Sequence, residues 1–323
     1  MADTKKYEIL KDKVIVYKGK TLYRIKALRA FTASNGFTVE VGDIGGFVES
    51  ENNLSQEGDC WIFFTAKVYD NAKVFDNACV YGAAEVFDKA KICDDAKVYD
   101  DAKVYDDALI CDNAEVFDNA KVYDKAIVYD DAKVYGNAQI LENAGVCDKA
   151  RAYGNAKIFE NAGVCDKARA YGNAQIFGKA AIYDNAEAYG NAKVYGKARV
   201  FDNAQVFGDA QICGNAKVCG VAKISGNKKV ETGKYIVKSL NVDEAFNEIK
   251  PICEKINFIN KAIKSNFPVE GDYAKNLLSQ FAKYNELIDY LQIDKRKGFL
   301  TLDENKIYKL LTQSKQNIKK INK

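Results

Sequence analysis

Residues 142–156 read ENAGVCDKARAYGNA, and residues 160–174 repeat them letter for letter, eighteen positions further on. A shorter beat runs inside that block, Ala-x-(Val/Ile)-aromatic-(Asp/Gly)-Asn, as in Ala66-Lys67-Val68-Tyr69-Asp70-Asn71. Every sixth residue from Ala66 to Ala222 is alanine, twenty-seven in succession without an insertion. A period this short marks a solenoid, in which each unit buries its apolar side by stacking on its neighbours. Alanine and Val/Ile sit two apart and share one side of a strand, while the lysine and the aromatic ring point the other way. The Asp/Gly-Asn pair then breaks the strand: Asn and Gly tolerate left-handed backbone, and Asp can brace a turn through its side chain.

The eighteen-residue repeat sets three hexads per coil. Ala152, Ala170 and Ala188 replace the inward Val/Ile at that same interval, and Cys93, Cys111, Cys147, Cys165 and Cys219 differ by multiples of it. Three strands per coil predict a triangular prism with three flat parallel sheets, mainly β. Nine coils at about 4.8 Å would span roughly 43 Å. The pattern resembles the left-handed parallel β-helix of bacterial hexapeptide-repeat proteins, with an aliphatic residue followed four positions later by a small one: Val68 with Ala72, Val74 with Ala78, through to Val218 with Ala222. Leu22 to Trp61, with LYRIKALRAF and GDIGGFVESENNLSQEGDCW, resembles the leading region of hexapeptide-repeat proteins carried by phages and prophages. One departure is that Tyr, Phe or Cys stands where the family usually has glycine, which places aromatic ladders outside the prism.

Four segments follow. Residues 1–55 are strand-rich, with a hairpin around Lys18-Gly19-Lys20 expected to cap the first coil, because an open solenoid end exposes strand edges. Residues 56–227 are the β-helix, and 228–240 a basic linker or exit strand. Over 241–323 the apolar spacing turns helical, with helices expected at 245–265, 273–293 and 301–321 in a small bundle. Nine cysteines, no histidine, and no signal peptide or apolar spanning run point to a cytoplasmic, reducing setting without membrane contact. Ladder neighbours Cys93/Cys111 and Cys147/Cys165 fall within disulfide reach, but the reading takes them as reduced thiols filling small slots. No metal or cofactor is expected.

Catalysis is the weaker reading. The acyltransferases and zinc enzymes of the resembling family use histidine, and this chain has none. The uninterrupted hexads also leave no loop to wall a pocket. An acyltransferase-like enzyme with a histidine-free site is the alternative. The charges are uneven: residues 66–135 carry 16 acidic against 9 basic side chains, residues 136–227 carry 8 against 11, and residues 241–323 carry 11 against 15. An acidic edge of Asp70, Asp76, Asp88, Asp94, Asp100, Asp106, Asp112, Asp118, Asp124 and Asp130 reads first as solvent-facing corner residues. As a sharper variant, it reads as a phosphate-like array for a basic channel.

Sorting outward residues by face isolates one that breaks the pattern. Its polar slot runs Lys73, Lys91, Leu109, Ile127, Gly145, Gly163, Ala181, Arg199, Lys217, and its aromatic slot holds Cys111, Tyr129, Cys147, Cys165 and Tyr183 over the middle coils. An uncharged patch of this kind signals contact. The occupant could be a second copy (a dimer is favoured), the C-terminal helices or a foreign protein, with nucleic acid disfavoured. The function expected is a non-enzymatic, phage- or prophage-derived interaction protein. It would self-associate through the flat face and bind, and so inhibit, a host macromolecule such as a nucleic-acid-handling or defence enzyme.

Overall fold

The computed structural model describes residues 5–237, 250–251, 253–254, 309 and 311–316. The chain divides into two compact units, Met1–Lys238 and Ser239–Lys323. In the first, each hexad contributes a two-residue strand, such as Lys67–Val68, Lys73–Val74 or Cys79–Val80. Strands eighteen residues apart pair in parallel, Glu85 with Lys67 on one side and with Lys103 on the other. Three sheets result, each one wall of a parallel β-solenoid. The first wall carries Lys67, Glu85 and Lys103, the second Cys79, Lys97 and Glu115, and the third Lys73, Lys91 and Leu109.

The inward columns explain the regularity. Val68, Ala72, Val74 and Ala78 have at most 1% of their surface exposed, and the same holds up the stack to Ile224 with few exceptions. Backbone amides complete the coils, Lys67 N–H to Ala84 O at 2.9 Å and Tyr69 N–H to Val86 O at 3.1 Å. Corners turn through one left-handed residue, Asp70 at φ 58° or Gly136 at φ 69°. That residue is the first of the Asp/Gly-Asn pair, so Asp carries the positive φ as well as the bracing carboxylate, while Asn links successive coils through its side-chain amide, as Asn137 does to Asn155 at 3.2 Å. At Gly136 a Cβ would stand 2.9 Å from the Gly154 nitrogen of the next coil, so a larger residue there needs the backbone to shift.

The stack is longer than nine coils: the first wall has eleven parallel strands. Strands β1 (Tyr7–Tyr17) and β2 (Lys20–Ala27) form an antiparallel hairpin. After β3 (Phe31–Thr32) and β4 (Thr38–Val39), strand β5 (Ile44–Val48) pairs antiparallel with β2 and parallel with Lys67–Val68. The segment Ile44–Val48 is therefore already a first-wall strand, although Gly45-Gly46-Phe47 lacks the hexad signature. At the other end Lys229–Val230 and Lys234–Val237 add further strands. There Lys217 pairs with Lys234, one residue short of the eighteen-residue step, which is why the repeat disappears from the sequence while the coil persists.

The leading end of the core is closed by side chains. Trp61 receives Tyr7 and Phe31 edge-on at 6.3 and 5.5 Å, and the Tyr7 hydroxyl donates to Leu54 O at 2.7 Å. The buried Lys6 ammonium donates to Glu57 O at 3.1 Å and Cys60 O at 3.0 Å. In the second unit, backbone is helical at 250–251, 253–254, 309 and 311–316, with Cys253 and Leu311 buried. These pieces do not amount to the expected three-helix bundle, the rest of which lies outside the described residues. No described helix is long and apolar enough to cross a membrane.

Candidate functional site: the third wall and its corners

The structure gathers the pattern-breaking residues into one column. Leu109 pairs with Ile127, Ile127 with Gly145, Gly145 with Gly163, and Gly163 with Ala181. Lys91 and Arg199 close the column at either end. Two residues further along each strand runs the second column, Cys111, Tyr129, Cys147, Cys165 and Tyr183. Ile127 is the most open apolar side chain of these five coils, at 40% exposure. A Cβ built on Gly145 or Gly163 would meet nothing within 4 Å, and neither glycine needs a left-handed backbone. Among the described residues nothing stops larger side chains at both positions, so their packing does not impose the flatness.

The other two walls are filled differently. Eight rings from Tyr81 to Phe207 stack without a break on the second wall, with centroids 4.6 to 4.9 Å apart. On the first, Tyr69, Phe87, Tyr105 and Tyr123 stack, and the ladder resumes from Phe159 to Tyr195 beyond Leu141. Their polar slots hold ion pairs, Lys133 with Glu115 at 3.0 Å and Arg169 with Glu187 at 3.1 Å. Among the described residues, the third wall stacks only Tyr183 on Phe201.

The ten acidic-edge residues occupy three corners. Asp70, Asp88, Asp106 and Asp124 lie between the first and third walls. Asp76, Asp94, Asp112 and Asp130 lie between the third and second, and Asp100 and Asp118 between the second and first. Several carboxylates accept the amide of the corner residue one coil on, as Asp94 does from Asp112 N–H at 3.3 Å and Asp112 from Asp130 N–H at 3.3 Å. Asp124 likewise accepts from Glu142 N–H at 3.1 Å, and Asp118 from Gly136 N–H at 3.0 Å. These are structural ladders that satisfy corner amides, so one continuous acidic edge does not form.

Two cysteine clusters sit in the outer slot of the third wall. Cys147 and Cys165 are joined as a disulfide, with Cα atoms 4.7 Å apart, so the reduced-thiol reading fails at this pair. The coil spacing is itself a disulfide-compatible Cα separation. Cys93 and Cys111 are free. Burial, helped by Asp94, pushes the Cys93 thiol well above its ordinary range, and burial with Asp112 pushes Cys111 up to about 11. Among the described residues, Cys93, Asp94 and Cys111 are a group of free side chains that could hold a metal ion.

Sequence reasoning missed Glu85. Its carboxylate is buried on the first wall, where it accepts from Lys18 at 2.7 Å and from the Tyr69 hydroxyl at 3.1 Å, and pairs with Lys103 at 3.0 Å. Burial opposes its ionisation, but the Lys18 and Lys103 ammonium groups prevail and bring the pKa down to about 2. Lys18 sits at the β1–β2 turn, so the contact ties the hairpin to the coils. A signal was present, since Glu85 stands between Lys67 and Lys103 in one slot, but the reach of Lys18 was invisible.

A shallow groove follows the corner beside the apolar wall and is lined by Asp148, Lys149, Asp166 and Lys167 among others. It holds no nucleophile–base arrangement. No protein-family model matches the chain, and no curated protein matches it either.

Proposed function

We propose that the solenoid is a left-handed β-helix of hexapeptide-repeat type, phage- or prophage-borne, acting in the cytoplasm as a non-enzymatic binding scaffold. On this reading it pairs with a second copy through its third wall. The observation that carries the reading is the open space above Gly145 and Gly163 beside the exposed Ile127. Glycine in a strand costs stability and often marks close approach by another backbone.

Residue sizes along the wall support a particular pairing. A two-fold axis through Gly145 and Cys147, parallel to the strands, sets two solenoids antiparallel and face to face. It brings Ile127 onto the partner's Gly163 and Leu109 onto the partner's Ala181. In the outer column Tyr129 meets the partner's Cys165 and Tyr183 meets the partner's Cys111. Large faces small at each of these positions, as an isologous interface requires. The five coils offer roughly 300 Å² at about 4.8 Å per coil and about 13 Å of strand. A stable interface wants about 800 Å² per partner, so the flanking coils must also close. There Lys91 approaches the partner's Arg199, a like-charge contact that salt screens.

Pairing leaves the two ring-laddered walls and their corners free for a macromolecular target to be blocked. The total lack of histidine supports a role without catalysis. Sedimentation equilibrium tests the pairing. The protein should be a dimer that tightens as salt rises, and Gly163→Leu should be a monomer with an unchanged circular dichroism spectrum. A monomer at all concentrations, or a Gly163→Leu dimer of undiminished affinity, would overturn the reading.

A further inference from the structure

Cys93 and Cys111 occupy the outer slot of consecutive third-wall coils, with the Asp94 corner beside them. The Cys93 thiol donates to Ile110 O at 3.9 Å, and the two sulfurs and a carboxylate oxygen all lie within 4.8 Å of one another. Three coils on, Cys147, Asp148 and Cys165 form the same trio, closed there by a disulfide. One wall therefore carries the same donor set twice, once open and once locked.

Two sulfurs and one carboxylate oxygen suit a borderline-soft cation and not a hard one, which wants six or more oxygens. Zinc binds thiolate at about 2.3 Å, so tetrahedral coordination puts the sulfurs ~3.8 Å apart, within rotamer adjustment of the present arrangement. The carboxylate is held in place: Asp94 accepts from Asp112 N–H at 3.3 Å and donates its own amide to Asp76 at 3.5 Å. Ligands fixed by an outer layer of hydrogen bonds bind metal more tightly. Asp76 and Asp112 add negative potential around the thiol pair, which favours a dication. In the unpaired chain Asp94 is exposed and Cys111 half-buried, so the cation reaches the trio from solvent before the third walls close. Cys-x-x-Cys spacing is absent because the coil itself, not a turn, brings the sulfurs together.

We propose that Cys93, Asp94 and Cys111 bind a thiophilic divalent cation such as Zn²⁺, and that Cys147, Asp148 and Cys165 become a second such site when their disulfide is reduced. On binding, each thiol gives up its proton to solvent and each sulfur donates a lone pair. Three protein ligands leave the fourth position to water.

The test is a Co²⁺ titration of the chelator-stripped full-length protein, followed by the thiolate-to-cobalt charge-transfer band and then by Zn²⁺ competition. One equivalent should bind per chain. Reduction by a phosphine, which takes the disulfide and water to two thiols and phosphine oxide, should raise this to two. Cys111→Ser should remove the first equivalent and leave the second. Asp94→Asn, which keeps a residue tolerant of the left-handed corner, should weaken the first by at least about tenfold. Circular dichroism confirms that each variant is folded. Absence of the charge-transfer band, a stoichiometry that stays at one after reduction, or equal binding by Cys111→Ser would overturn the proposal.

Discussion

The second and third walls of the prism share a backbone, a registry and an inward lining, yet their outward faces are opposites. On the second wall eight rings stack from Tyr81 to Phe207, and Glu115 and Glu187 each engage a cation. That surface satisfies itself within one chain. On the third wall, Leu109, Ile127, Gly145, Gly163 and Ala181 pair through the backbone ladder, and space stands open above both glycines. Inward residues build the solenoid on every side, so outward residues are free to differ. A wall that leaves its stacking partners out is the one to examine for contact.

Substitutions should separate the two surfaces. The largest effect is expected from Ile127→Lys combined with Ala181→Lys. Two ammonium groups without partners in a closed interface should weaken self-association by more than about a hundredfold. Thermal unfolding should stay unchanged, and loss of folding in this variant would break the contrast.

Glu85 tests the opposite case, a charge that belongs to the fold. Glu85→Gln should lower unfolding stability by about 2–3 kcal/mol at neutral pH, read by urea denaturation, and leave association alone. The sign follows from the depressed pKa. The folded carboxyl titrates at about 2, below its ordinary value of 4.5, so its contribution is complete above about 4.5 and is lost as pH falls toward 2. The wild-type protein should lose stability across that window, and the Gln variant should lose less.

Tyr135→Ala removes two stacked contacts, with Phe117 and Tyr153, at 4.8 and 4.9 Å. About 2 kcal/mol of stability should go with them, without effect on sedimentation. Smallest is Gly145→Thr. Filling open space in a strand should raise stability by about 0.5–1 kcal/mol, while association weakens, because the proposed pairing sets Gly145 against its own copy across the two-fold axis. Gain of stability with undiminished pairing would move the contact elsewhere.

The sequence announced the fold wherever side chains enforce it. Alanine every sixth position is a demand of the coil and is written without exception, while the inward slot yields from Val or Ile to Ala at Ala152, Ala170 and Ala188, and the corner from Asp or Gly to Glu at Glu142 and Glu160. The terminal coils were not legible. At Ile44–Val48 one neighbour is an antiparallel hairpin, and at Lys234–Val237 the coil is a residue short, so the periodic constraint lapses. The third wall was legible because it departs from a strict period, which made Ile127 and Gly145 conspicuous. The Cys147–Cys165 bond was not, since a ladder slot fixes the distance between two thiols but not their oxidation state. Nor were the amides that several corner aspartates accept, such as Asp112 N–H by Asp94 and Gly136 N–H by Asp118.

The face-to-face pairing is tested most directly by site-specific cross-linking. Ile127→Cys and Gly163→Cys chains are oxidised mildly, separately and as an equimolar mixture, beside the unsubstituted protein. A disulfide-linked dimer confined to the mixture, joining position 127 of one chain to position 163 of the other, is the expected result. No new dimer, or one formed as readily by either variant alone, would contradict the antiparallel contact across the third wall.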